Sequence, residues 1–178
     1  MAARASLVDV ITYLRRYGNA ARDEVFSGVT YWDDEQLEDI AETFSARVRV
    51  RLNAVTSDWL TFQIDLPRHK MADTDSLVIY TDTGGIVSTS YTIEVLRGEV
   101  IFSEALSEGY YYVEGLFVNT WAALADLWEQ KANQRVGYIN FKAGQKTMFL
   151  EQEYNHCVAR AEYYRNKVIR GHRKKWRT

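Results

Sequence analysis

The hydrophobic period of this chain changes twice, and that change limits the fold more than any other signal. From Leu7 to Val48 apolar residues recur at three- and four-residue steps. From about Arg49 they recur at every second residue, and from Val118 the helical step returns. Residues three or four apart share one face of a helix, whereas alternate residues share one face of a strand. A block of strands bracketed by helices makes an α+β chain; a parallel α/β chain would alternate the two. The sequence therefore predicts a helical bundle, two helices from each end, with an antiparallel sheet inserted at residues 49–116 and an extended C-terminal arm at 167–178. Residues 1–178 read as a single domain.

Local signals sharpen this outline. Ser6 and Asp9 resemble a capping box ahead of Leu7, Val10, Ile11, Leu14 and Tyr17, and Gly18-Asn19 ends that helix. Residues 20–31 read as a packed linker. Asp33 caps a second helix, Gln36 stands three residues on, and Trp32 can staple onto Leu37. Leu37, Ile40, Ala41, Phe44 and Val48 form its buried stripe. Strand signals fall in six stretches, around Val50–Leu52, Leu60–Leu66 (stopped by Pro67), Leu77–Tyr80, Tyr91–Val95, Val100–Phe102 and Gly109–Val113, with turns at Thr83–Gly85 and Arg97–Glu99, and are read as a sheet of about five strands. A third helix runs from Val118 to about Asn133, a loop follows from Gly137 to Gly144, and Thr147 caps a terminal helix ending near Val168, with Gly171 beyond. Its stripe is Leu150, Tyr154, Cys157, Val158, Ala161, Tyr164 and Val168.

Charge is unevenly placed. After Glu162 come seven Lys or Arg residues and no acid; removing those seven from a net charge of −2 leaves −9 for the rest. An acidic body argues against wholesale nucleic-acid binding, which usually needs a basic face on the folded domain, and a basic arm fits the search for one partner. The single cysteine excludes an intramolecular disulfide, and neither a signal peptide nor a membrane span is read.

Chemistry is sparse. Glu153 and His156 are spaced like one half of a di-iron site, but such sites need a second pair and further glutamates. Cys157 lies on the apolar stripe, and adjacent helical positions diverge by about 100°, so His156 does not serve it. Asp33, Asp34, Glu35, Glu38, Asp39 and Glu42 suit a cap and a solvated face. Gly84-Gly85 lacks the neighbours of a phosphate loop. No catalytic, cofactor or metal residue is assigned, and an enzyme is not expected. Five Trp and twelve Tyr exceed a plain reading, and for Trp176, Tyr110 and Tyr112 core and interface stand level.

Taken together, Val29-Thr-Tyr-Trp-Asp-Asp-Glu-Gln-Leu37, the hairpin Tyr91-Thr-Ile-Glu-Val-Leu-Arg-Gly-Glu-Val-Ile-Phe102, and the closing segments Trp121–Lys131, Phe149–His156 and Ala159–Tyr164 resemble the head–tail connector (adaptor) proteins of tailed phages. The resemblance implies a structural virion protein forming a ring, usually of twelve copies, below the portal at the capsid vertex, and made in the host cytoplasm. Its partners would be further copies of itself, the portal protein and the next neck or tail-completion protein. Genome DNA would pass through its channel without sequence-specific binding, and no membrane or cofactor would be involved. Portal docking would fall to the arm, through Lys167, Arg170, Arg173, Lys174, Lys175, Trp176 and Arg177. Two other readings stay open: a nucleic-acid-binding accessory protein that uses this arm, and another neck or tail-completion protein.

Overall fold

The computed structural model describes the backbone of residues 7–20, 24–26, 29–64, 69–71, 77–94, 97–139 and 145–174, and the side chains of 7–20, 32–64, 77–94, 97–135 and 151–168. In chain order the elements are α1 (Val8–Gly18), β1 (Glu24–Phe26), β2 (Val29–Tyr31), α2 (Asp34–Thr43), β3 (Ser45–Ala54), β4 (Thr61–Ile64), β5 (His69–Met71), β6 (Val78–Thr81), β7 (Tyr91–Glu94), β8 (Glu99–Phe102), β9 (Tyr111–Asn119), α3 (Thr120–Ile139) and α4 (Gln145–Lys174). The α+β class holds. Among the described residues no helix is long and apolar enough to cross a membrane.

Helix α1 starts differently from expectation: Leu7 occupies the N-cap and makes no side-chain cap bond. Its end agrees, since Asn19 turns left-handed at φ 48°. Gly18 has to be small, because a Cβ there would stand 2.1 Å from Leu127 Cδ2. Residues 24–31 form a short hairpin, β1 with β2, in what read as linker. At α2 the expected cap is present: the Gln36 amide donates to Asp33 Oδ1 at 2.8 Å, and the Gln36 side-chain oxygen accepts from the Trp32 amide. Trp32 takes a positive φ of 64° and is buried with Leu37 in the helical core. The helix stops at Thr43, so Val48 belongs to β3, where it packs against the sheet core.

The main sheet is antiparallel and begins at Ser45, earlier than residue 49. Its order is β5-β9-β3-β4-β8-β7, and β6 also pairs with β9. Strands β6 and β5 lie end to end along the same edge of β9, against Tyr111–Glu114 and Phe117–Asn119 respectively. Seven strands thus occupy six places across a curled sheet. The curl brings β7 back toward β6: the Tyr91 hydroxyl donates to the Leu77 carbonyl at 3.0 Å. Inside lie Val50, Leu52, Phe62, Ile79, Val100, Phe102, Tyr111, Val113 and Phe117, alternate residues of their strands as the period requires. Phe62 meets Phe102 and Tyr111 edge-on at 5.5 Å each. Gly115 leaves room for Leu77, whose Cδ2 would lie 2.0 Å from an added Cβ.

A second core joins α1, α2, α3 and α4. Strand β9 serves both: Phe117 points into the sheet core and the next residue, Val118, into the helical one. Asn119 then turns the chain, donating its amide to the Phe44 carbonyl at 3.0 Å and accepting from the Ala122 amide at 3.2 Å, which caps α3. Helix α3 therefore begins at Thr120 and not Val118. It runs through Gly137 to Ile139, so the expected loop is helical there; residues 140–144 lie outside the described residues.

Candidate docking surface

The terminal helix corrects the sequence reading at both ends. It starts at Gln145, which puts Thr147 inside the helix instead of at its cap, and it continues through Gly171 to Lys174. An isolated glycine weakens a helix by about 1 kcal/mol without forbidding it. The arm is thus not extended from residue 167: its first part is a continuation of the α4 rod. Arg170, Arg173 and Lys174 are helical, while Lys175, Trp176 and Arg177 lie outside the described residues.

Lys167 marks the root of the arm, and its surroundings are aromatic. Its Nζ lies 4.4 Å from the Tyr163 ring centroid, 5.2 Å from Trp121 and 5.9 Å from Tyr164. An ammonium within about 6 Å of a ring is held by the ring quadrupole. Helix α1 adds Tyr13 and Tyr17, their rings 4.5 Å apart, with Arg16 over Tyr17 at 5.7 Å. Burial raises the Tyr13 phenol above its ordinary value, opposed by a hydrogen bond with Thr120 and by the Lys167 charge; the Tyr17 neighbour adds to the rise. Burial likewise raises Tyr164, with Tyr13 adding to it. Tyr164 is buried, while Tyr17 and Tyr163 are exposed. The result is a three-helix aromatic platform, partly open, from which the basic segment departs. Further back along the rod, Arg165 pairs with Glu129 of α3.

Other candidates resolve into structure. Glu153 faces Arg135 at 3.3 Å, and His156 meets the Trp128 ring edge-on at 5.6 Å, so the two are directed to different neighbours. Cys157 is buried in the helical core. Asp33 caps α2 and Asp34 pairs with Arg15 of α1 at 2.6 Å. Gly84-Gly85 completes the turn after β6, with the Thr81 amide donating to the Gly85 carbonyl at 2.8 Å. Among the described residues no three His, Cys, Asp or Glu side chains gather as a metal site.

Two features escaped the sequence. Lys131, a residue of the α3 polar pattern, is 3% exposed; its Nζ donates to the Asn19 carbonyl at 2.6 Å between the rings of Trp32 and Trp128. The platform itself had a faint signal, since Tyr13 and Tyr17 are one helical turn apart. No protein-family model, curated protein sequence or solved structure matches the chain.

Proposed function

We propose that this chain is the head–tail adaptor of a tailed phage, assembling as a ring below the portal and passing the genome toward the neck. The observation that carries the reading is the joint at Lys167. The basic segment leaves the body as a continuation of α4, described as far as Lys174, with Lys167 seated on aromatic rings. From Lys167 to Lys174 a helix advances about 10 Å, which carries Arg170, Arg173 and Lys174 clear of the last buried residue, Tyr164. Such a rod suits insertion of a basic end into an acidic site on a partner, where charge speeds encounter and the exposed Tyr17 and Tyr163 add apolar contact. The acidic body suits a channel along which DNA slides without sticking.

Imaging of phage particles with this chain labelled tests the proposal. The expected result is a closed ring of copies at the portal vertex. A single isolated copy there, or its absence from the particle, contradicts it.

A further inference from the structure

The outer face of the sheet is not uniformly covered. At its Val118 end the helices close over it, but toward the other end β3 presents Arg47, Arg49 and Arg51, all exposed, alternating with the inward Val48, Val50 and Leu52. Across from them stand Leu116, Glu114 and Tyr112 of β9, in register. Each arginine leans one pair along. Arg47 reaches Glu114 at 3.4 Å. Arg49 lies over Tyr112 at 5.3 Å and over Tyr80 of β6 at 4.6 Å. Arg51 lies over Tyr110 at 4.2 Å. Among the described residues neither Arg49 nor Arg51 has a carboxylate within ion-pair distance. Arg49 and Arg51, with no ion pair among the described residues, and three tyrosines therefore share one solvent-facing strip, and Tyr110 is 55% exposed.

We propose that this strip binds single-stranded nucleic acid, the arginines taking phosphates and the tyrosines the bases. Alternate residues of a strand stand about 6.8 Å apart, of the same order as neighbouring phosphates on an extended single strand. A guanidinium stacked by its face keeps its N–H edges free for a phosphate. An acidic protein would satisfy the arginines and leave the rings idle, whereas a nucleotide chain engages both. The surrounding acidic body confines the contact to the strip. This site is separate from the C-terminal arm, and its role does not depend on the adaptor reading.

Fluorescence anisotropy of labelled oligo-dT with the full chain, over a salt series, tests it. The double variant Arg49→Gln/Arg51→Gln loses roughly 50-fold in affinity at about 50 mM salt, and its log–log salt slope shrinks by about 1.4, the loss of two phosphate contacts. Tyr112→Leu weakens binding about tenfold with the slope unchanged, as loss of a stacked base predicts. Arg97→Gln, at the β7–β8 turn, binds as the parent does. Circular dichroism melts confirm that each variant folds, and Arg49→Lys/Arg51→Lys retains the parental slope if the double variant does not. Parental affinity in the double variant overturns the proposal. So does loss of all binding on deleting residues 171–178, equal affinity for duplex DNA with no effect of Tyr112→Leu, or equal displacement by poly-glutamate.

Discussion

The sheet core draws its buried residues from one continuous stretch, Val50 to Phe117, whereas the helical core is assembled from Leu7 near one end of the chain and Tyr164 near the other. The first is almost wholly apolar. Its buried Tyr111 hydroxyl is satisfied nearby, donating to the Ser107 carbonyl at 2.8 Å. The second holds the ammonium of Lys131 against a carbonyl 112 residues away in sequence. The sheet closes within residues 45–119, its longest loop set by β3 pairing with β9, whereas α1 packs on the nearby α2 but also on α3, more than a hundred residues on, so the helical core carries the greater loop-closure cost. The helices tie the ends of the chain to the sheet. Strand β9 feeds Phe117 to one core and Val118 to the other, so the two are expected to unfold as one cooperative unit.

The strongest way to break that comparison is Phe62→Ala, in the middle of the sheet core. It should cost about 3–5 kcal/mol. Trp59 packs beside Phe62, so the test is made in a Trp59→Phe background, where the remaining described tryptophans, Trp32, Trp121 and Trp128, all belong to the helical core. With one cooperative unit the fluorescence melt and the far-ultraviolet circular dichroism melt shift together. Two separated transitions would show instead that the sheet unfolds by itself.

Lys131→Ala probes the polar element of the helical core. Losing the donor breaks the part-buried bond to the Asn19 carbonyl and costs about 1–3 kcal/mol. Lys131→Met keeps the stem's volume and should cost less, since a buried charge replaced by apolar bulk is often near neutral. Equal losses in urea denaturation would assign the effect to the lost hydrogen bond alone, because only Met keeps the stem's packing. A smaller change is expected from Asp33→Ala, about 0.5–2 kcal/mol, through the lost bond to the Gln36 amide. Chemical denaturation that leaves the midpoint unmoved would remove the cap from the account.

The smallest effect concerns Tyr164, which the platform shares with the helical core. Unfolded tyrosine ionises near its ordinary 10.0, and Tyr164 in the folded chain ionises above that, because burial disfavours the phenolate. The folded state thus keeps its proton longer. Tyr164 leaves stability unchanged below about pH 10 and lowers it as the pH rises through that value. In Tyr164→Phe the alkaline loss of melting temperature should be shallower than in the parent; an identical loss would place its origin elsewhere.

What the sequence made legible was local. The α2 cap needs only residues 32–37, and the β7–β8 turn needs only Gly98, which takes φ 68°. Val48 was ambiguous because it sits four residues after Phe44 and two before Val50, fitting a helix and a strand equally. The Ser45 start shows that strand pairing with β9 decided it. The β1–β2 hairpin is too short, at three residues a side, to display a period. Glycines 137 and 171 misled because a single glycine weakens a helix by only about 1 kcal/mol and does not end it. The alternation of Arg47, Arg49 and Arg51 was visible as a strand signal, but not as a binding strip. Tyr80 and Tyr112 converge on it only because β6 and β3 flank β9, an order that no local pattern encodes. Net charge is equally silent on placement, since an acidic total does not show that Arg47, Arg49 and Arg51 line one face.

Attachment to portal-bearing heads by a chain lacking Gly171–Thr178 tests the adaptor account most directly. The deletion removes four of the seven terminal positive charges, at Arg173, Lys174, Lys175 and Arg177, together with Trp176. It spares every described residue of the helical core, of which Tyr164 is the last. The account predicts a melting temperature close to that of the parent and no bound copies on purified heads. Normal occupancy of the portal vertex by the truncated chain would contradict it.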